Sequence, residues 1–109
     1  MRWAAPLALA SVLMTTAAAA QTYARIGAGT SSCGTWTAAR RNMTGANVQN
    51  EAWVFGFLSG VGWVGQNGDN PLQGLDGNAV SAWVDNYCRS NPLKSIGEAA
   101  GALAFAHPR

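Results

Sequence analysis

The two cysteines, Cys33 and Cys88, are the residues of this chain whose chemistry is clearest. The chain begins with a segment typical of an export signal, which places both thiols in an oxidising compartment. We therefore predict a disulfide bond between Cys33 and Cys88. In the chain-entropy model, closing a loop of this length stabilises the fold by about 4 kcal/mol. That is a large share of the roughly 5–15 kcal/mol by which small domains are stable.

The other reactive side chains do not form a catalytic or zinc-binding pattern. His107 is the one histidine and lies in the last three residues of the sequence. Acid–base and nucleophilic catalysis need a base held within hydrogen-bond reach of its partner, and zinc needs more Cys and His ligands than this chain has. We therefore expect no catalytic residue, no metal site and no cofactor.

The carboxylates offer two weaker possibilities. Asp69, Asn70, Asp76 and Asn78 crowd one segment, but their spacing does not match a calcium-binding EF-hand loop, and turn and cap formation account for them. A glycosidase would need two facing carboxylates, with tryptophans as sugar platforms. No spacing selects such a pair among the acidic residues, which are Glu51, Asp69, Asp76, Asp85 and Glu98.

The N-terminal segment has the three parts of a secretory signal peptide. Met1 and Arg2 form a short positive region, residues 3–14 are apolar apart from one serine, and small residues follow up to Ala20. We predict cleavage between Ala20 and Gln21 and a mature protein that is periplasmic or secreted. The apolar run is shorter than the roughly 20 residues that a membrane-spanning helix needs, so we expect no stable membrane span.

Composition limits the partners. Seven Lys and Arg residues face five Asp and Glu residues, and the basic residues form neither a run nor a stripe. This balance argues against nucleic acid and anionic membranes as partners. After removal of the signal, the remaining length is enough for one small domain.

Hydrophobic periodicity predicts an all-α fold, a compact bundle of three to four short helices. Residues 21–32 are rich in Gly, Ser and Thr and are interpreted as a flexible leader to a helical domain at 33–109. Within it we predict helices over 33–42, about 48–64, 78–89 and 92–106. The second helix is apolar all round and is expected to be the central, buried element.

Several residues within these helices carry specific expectations. Asn47 is a possible N-cap of the second helix, Asp76 should cap the third, and Asn91 with Pro92 should start the fourth. On the third helix, Val80, Trp83, Val84, Tyr87 and Cys88 form an apolar stripe, whereas Ser81, Asp85 and Asn86 should be exposed. Leu93 should be buried on the fourth helix.

The tryptophans suggest where a partner could bind. Trp36, Trp53, Trp63 and Trp83 are most simply explained as core residues. Of the four, Trp63 lies just before the main loop, residues 65–76, and is the one expected to be most exposed. Exposed tryptophans anchor protein interfaces, and binding residues concentrate on loops held by rigid scaffolds. Trp63, Asp69 and Asn70 are therefore the candidate partner-binding residues.

Residues 33–104 resemble a group of small secreted bacterial proteins. The motifs that carry the resemblance are Cys33-x-x-Trp36, Trp53-x-x-Gly56-Phe57-Leu58-Ser59-Gly60, Asp76, Trp83-x-x-x-Tyr87-Cys88-x-x-Asn91-Pro92 and Ala99-Ala100. The chain is similar to the Rap1a/Tai-type immunity proteins of type VI secretion systems and to the HdeA/HdeB-like periplasmic proteins. Both branches imply a small helical periplasmic domain with one disulfide between Cys33 and Cys88 and no catalysis.

The two branches imply different partners. An immunity-type inhibitor binds a secreted effector, whereas an acid-stress chaperone, or holdase, binds client proteins after acid unfolds it. Acid chaperones of this kind are rich in charged residues. This chain has five carboxylates, so protonating them in acid should destabilise the fold only weakly. We therefore expect a non-enzymatic protein-binding module of the immunity type, with the chaperone, or an envelope protein of undefined role, as the alternative.

Overall fold

Four α-helices make up the domain. The computed structural model describes residues 23–65 and 70–106, and no β-strand occurs within these ranges. A short 3₁₀ helix covers Ala28–Thr30. The α-helices are α1 (Cys33–Asn42), α2 (Gly45–Val64), α3 (Gly77–Ser90) and α4 (Ile96–Ala106). The predicted all-α fold is confirmed, and the predicted signal peptide, residues 1–20, lies outside the described residues.

The core lies between the four helices, and α3 packs against α1, α2 and α4. Each helix contributes a stripe of fully buried apolar side chains at helical spacing. Burial of each aliphatic side chain contributes roughly 1.5–3 kcal/mol. The buried apolar set is Cys33, Trp36, Val54, Leu58, Val80, Val84, Cys88, Ile96, Ala99, Ala100 and Leu103.

The predicted disulfide between Cys33 and Cys88 is confirmed. It joins the first residue of α1 to the last turn of α3, with a Cα–Cα distance of 4.9 Å. Both cysteines are buried beside Trp36 in the core cluster. Because the bridge links residues far apart in sequence, it restricts the unfolded chain strongly.

Side-chain caps mark the start of three of the described helices, and at α1 the Ser32 hydroxyl accepts a 3.1 Å hydrogen bond from the Thr35 N–H. Asp76 accepts a 2.8 Å hydrogen bond from the backbone N–H of Ala79, as predicted for the start of α3. At α4, the Ser95 hydroxyl accepts from the Glu98 N–H at 3.0 Å, and the Glu98 carboxylate accepts from the Ser95 N–H at 2.7 Å. This reciprocal pair is a capping box.

Two predicted helix starts are wrong. The capping box starts α4 at Ile96 rather than Pro92, so Leu93 stays in the turn and is 97% exposed instead of buried. The second helix starts earlier than predicted, at Gly45 with Thr44 as its N-cap, so Asn47 is buried inside the first turn rather than capping it.

The segment before Cys33 packs onto the helices, so the domain begins earlier than predicted. The Trp53 indole N–H donates to the carbonyl of Ile26 at 2.8 Å, and the Ile96 N–H donates to the carbonyl of Ser31 at 2.8 Å. Gly29 lies under the Trp53 ring, where a Cβ would overlap the indole. Residues 26–31 therefore form a strap across α2 and α4 and belong to the folded unit.

Candidate functional site

A polar cluster lies where α1, α2 and α3 meet, and Glu51 is its member from the N-terminal half of α2. The Arg40 guanidinium of α1 donates from Nη1 to Glu51 of α2 at 2.8 Å, and from Nη2 and Nε to Asp85 of α3 at 2.9 and 3.0 Å. The Trp36 indole N–H donates to Asp85 at 2.7 Å, and the Ser81 hydroxyl donates to Glu51 at 3.1 Å. The cluster therefore ties three helices together through one arginine.

The cluster corrects the expected exposure of α3. Ser81 and Asp85 were expected on the exposed face, but Ser81 is 2% exposed and Asp85 is half-buried. The reason is that α1 and α2 both pack against α3, so its covered face is wider than its apolar stripe. Asn86 is exposed, as predicted.

The hydrogen bonds keep the Asp85 side chain ionised. Burial raises the pKa of Asp85, but hydrogen bonds from Arg40 and Trp36 and the charge of Arg40 outweigh it, so the pKa falls below its ordinary value of 3.8. The hydrogen bond to Asp85 likewise raises the pKa of Arg40. A general acid at neutral pH needs a raised carboxyl pKa, so this arrangement favours a structural ion pair over acid catalysis.

An apolar groove lies along the C-terminal half of α2. It has a volume of about 900 Å³, and we call it the α2 groove. Gly56 and Gly60 contribute its floor, and a Cβ built at either position would meet nothing within 4 Å. The helix backbone is thus open to approach from outside. The residues that line the groove are Tyr23, Gly56, Phe57, Gly60, Val61, Val64 and Gly65.

Exposed apolar side chains lie in this groove and next to it. Of the lining residues, Tyr23 is 59% exposed and Val64 is 85% exposed. Trp63, which precedes Val64 in the sequence, is 75% exposed. Phe57 stacks on Trp53 with ring centroids 5.4 Å apart, and Trp53 is in turn fixed by its bond to Ile26. The groove therefore has one firmly held aromatic wall beside exposed apolar side chains.

The predicted tryptophan roles are confirmed in part. Trp36 is fully buried, whereas Trp53 and Trp83 are half-buried and pack at the edge of the core. Trp63 is exposed, as expected. The main loop falls partly outside the described residues, and Asp69 lies in that part. Asn70 is exposed, and its carbonyl accepts a 3.1 Å hydrogen bond from the Gln73 N–H in a turn.

Sequence reasoning missed the groove itself. Its signal was present in the Gly56-x-x-x-Gly60 spacing, which indicates close approach of another backbone. Within the described part of the chain, no backbone approaches these two glycines. The prediction that α2 is the central, buried element does not hold for its C-terminal half, which exposes Trp63 and Val64.

The described residues contain no group of three or more His, Cys, Asp and Glu side chains arranged to hold a metal ion. Within residues 23–65 and 70–106, no helix combines the length and the apolarity needed to cross a bilayer. Comparison with protein-family models, with curated proteins and with solved structures finds no match.

Proposed function

We propose that this protein is a non-enzymatic protein-binding module, which holds an apolar helix of a protein partner in the α2 groove with Trp63 as an anchor. The observation that supports this most directly is the open glycine floor of the groove beside exposed apolar side chains. Exposed apolar clusters of this kind mark interaction sites on small proteins.

The shape of the groove favours a helix as its occupant. Gly56 and Gly60 are one helical turn apart, so a second helix can lie close to the α2 backbone across them. Phe57, Val61 and Val64 then provide apolar contacts for side chains at helical spacing on the partner.

The polar cluster supports a role without catalysis. Its two carboxylates, Glu51 and Asp85, both accept hydrogen bonds from Arg40. Asp85 also accepts from the Trp36 indole N–H, and Glu51 from the Ser81 hydroxyl, so both carboxylates are used in contacts between helices. The cluster therefore fits a scaffold that keeps α2 in position.

We further propose that the chain is exported, is cleaved between Ala20 and Gln21, and works in the periplasm or outside the cell. The buried Cys33–Cys88 bridge supports an oxidising compartment. The proposed partner is a secreted effector that the module inhibits, as the resemblance to immunity proteins implies. The alternative is an acid-stress holdase, whose partners would be unfolded client proteins.

A neutral amphipathic helix of roughly 18 residues, with leucine on one face, tests the groove. Binding is measured by fluorescence anisotropy at neutral pH. Filling the groove with Gly60→Leu and removing the anchor with Trp63→Ala should each weaken binding by about tenfold or more. Leu93→Ala is the matched control, because Leu93 is also an exposed apolar residue, at 97%, but is remote in sequence from the groove. Its affinity should stay within about twofold of the parent protein.

The same proteins distinguish binding from the chaperone alternative. Circular dichroism from about pH 7 to about pH 2, with an aggregation-suppression assay, follows both folding and client protection. Equal loss of helix binding in Leu93→Ala would overturn the groove as the site. Cooperative loss of tertiary structure near about pH 3, with client protection appearing there, would favour the holdase.

A further inference from the structure

A second surface lies at the opposite end of α2 and is lined mainly by arginines. It is an open cleft of about 550 Å³ between the ends of α1 and α3, bordered by Thr37, Arg40, Arg41, Met43, Asp85 and Arg89. We call it the arginine cleft. Met43 lies just before Thr44, the N-cap of α2, and the groove floor begins at Gly56, about 11 residues into that helix. A helix rises about 1.5 Å per residue, so the two surfaces are separated by roughly 15–20 Å.

Arg40 gives this cleft a fixed hydrogen-bond donor. A guanidinium carries five N–H groups in a rigid plane. In Arg40, one N–H group each on Nε, Nη1 and Nη2 donates to Asp85 or Glu51, and these hydrogen bonds fix the plane of the guanidinium. Two N–H groups remain without an acceptor among the described residues. A donor whose position is already fixed loses little entropy when it binds an anion.

Two further arginines border the cleft without a carboxylate partner in the described part of the chain. Arg89 donates to the neutral amide oxygen of Asn86 at 3.0 Å, and Arg41 is exposed in the last turn of α1. The described residues contain five Lys and Arg side chains, and three of them are in this cleft. The other two are Arg25, which bonds Ser95, and the exposed Lys94.

The charge balance of the cleft indicates which anion it suits. Arg40 is bonded by two carboxylates, Asp85 and Glu51, and Arg41 and Arg89 add two further positive charges. These side chains together leave about one positive charge, which the C-terminal ends of α1 and α3 reduce further. So small an excess suits a carboxylate with a single charge, whereas a phosphate dianion would face both carboxylates and the helix ends.

We propose that the arginine cleft binds an aspartate or glutamate side chain of the protein partner, with Arg41 and Arg89 supplying charge and Arg40 supplying fixed N–H donors. The inference rests on the proposed function only in that the partner is a protein. Planar guanidinium groups match carboxylates in geometry as well as in charge. The contact is largely exposed, so it adds selectivity and salt dependence more than affinity.

A blocked hexaglutamate peptide probes the cleft, with hexaglutamine as its neutral control. Both are titrated into the full chain as it exists after export, with the disulfide intact, and backbone amide shifts are followed by NMR at about 20 mM ionic strength. Hexaglutamate should shift the amides around Arg41 and Arg89, with weaker binding at about 150 mM, and hexaglutamine should not. Absence of a difference between the two peptides would overturn the proposal.

Charge reversals distinguish a local site from a general effect of net charge. Arg41→Glu and Arg89→Glu should each weaken hexaglutamate binding by roughly three- to tenfold. Lys94→Glu makes the same change in net charge outside the cleft and should have less than about a twofold effect. An equal loss in Lys94→Glu would overturn the site, as would inorganic phosphate displacing the peptide at equal concentration. Trp63→Ala should leave this binding unchanged, so failure of the α2 groove and failure of the arginine cleft are separate results.

Discussion

The two halves of α2 invert the usual relation between polarity and burial. Near its start, Asn47 and Asn50 are buried, and each keeps a polar atom without a partner among the described residues. Near its end, Trp63 and Val64 are exposed. The apolar character of a helix therefore does not identify its core face. The first half is positioned by bonds to neighbouring helices, and the second half remains available to another molecule.

Two tryptophans with opposite burial should differ most in how much their removal destabilises the fold. Trp36 is fully buried and bonds Asp85, so Trp36→Ala should lower the free energy of unfolding by roughly 3–5 kcal/mol. Trp63→Ala should change it by less than about 0.5 kcal/mol, because the side chain is mostly in water. Urea unfolding measures both, and equal losses would show that Trp63 is part of the core.

The disulfide should have the next largest effect. It holds α1 and α3 together, and both helices supply side chains to the polar cluster. Replacing both cysteines with alanine should lower stability by roughly 2–5 kcal/mol. Thermal unfolding of the oxidised, reduced and substituted proteins checks this. A reduced protein as stable as the oxidised one would contradict the assigned role of the bridge.

Local sequence patterns could predict parts of the fold, but they could not decide between two possible start positions of the same helix. The third helix was predictable because Asp76 supplies a cap and Val80, Val84 and Cys88 supply its stripe within one short segment. For the fourth helix, Asn91-Pro92 and the Ser95–Glu98 box are both valid starts in the sequence. In the folded protein the Ile96 N–H donates a hydrogen bond to the carbonyl of Ser31, which supports the start at Ile96. Ser31 is far from Ile96 in the sequence, so no local pattern could predict this contact.

The features of the candidate sites differ in how far the sequence alone could predict them. Exposure of Trp63 followed from its place beside a loop. The pairing of Arg40 with Asp85 spans 45 residues and depends on how α1 crosses α3, so side-chain types alone could not identify it. The α2 groove depends on what is absent opposite Gly56 and Gly60, and a sequence does not record an empty space.

A smaller effect concerns the ion pair between Arg40 of α1 and Asp85 of α3. Asp85→Asn keeps the size of the side chain but removes the negative charge to which Arg40 and Trp36 donate hydrogen bonds. It should lower the free energy of unfolding by about 1–2 kcal/mol at neutral pH, a modest value because the pair is partly exposed. Asp76→Asn is the matched control, since asparagine caps a helix as well as aspartate does.

The pH dependence of the same variant has a definite sign. The pKa of Asp85 is lower in the folded protein than its ordinary value of 3.8. Its contribution is therefore fully present above that value and is lost as the pH falls through the lower, folded pKa. Stability measured by urea unfolding between about pH 6 and about pH 2.5 should fall more steeply for the parent protein than for Asp85→Asn. Parallel curves would show that the charge of Asp85 does not contribute.

A small gain in stability is expected when a glycine of the groove floor is replaced, and this change tests why the groove is open. A glycine inside a helix costs about 0.5–1 kcal/mol relative to alanine, and a Cβ at Gly56 would meet nothing within 4 Å. Gly56→Ala should therefore stabilise the protein by about 0.4–1 kcal/mol. Gly29→Ala is the contrasting control and should destabilise it, because the added methyl group would overlap the Trp53 ring. If Gly56→Ala raises the melting temperature and weakens binding of the amphipathic helix, the glycine is kept for binding at the expense of stability. Unchanged binding would instead place the partner away from the floor of the α2 groove.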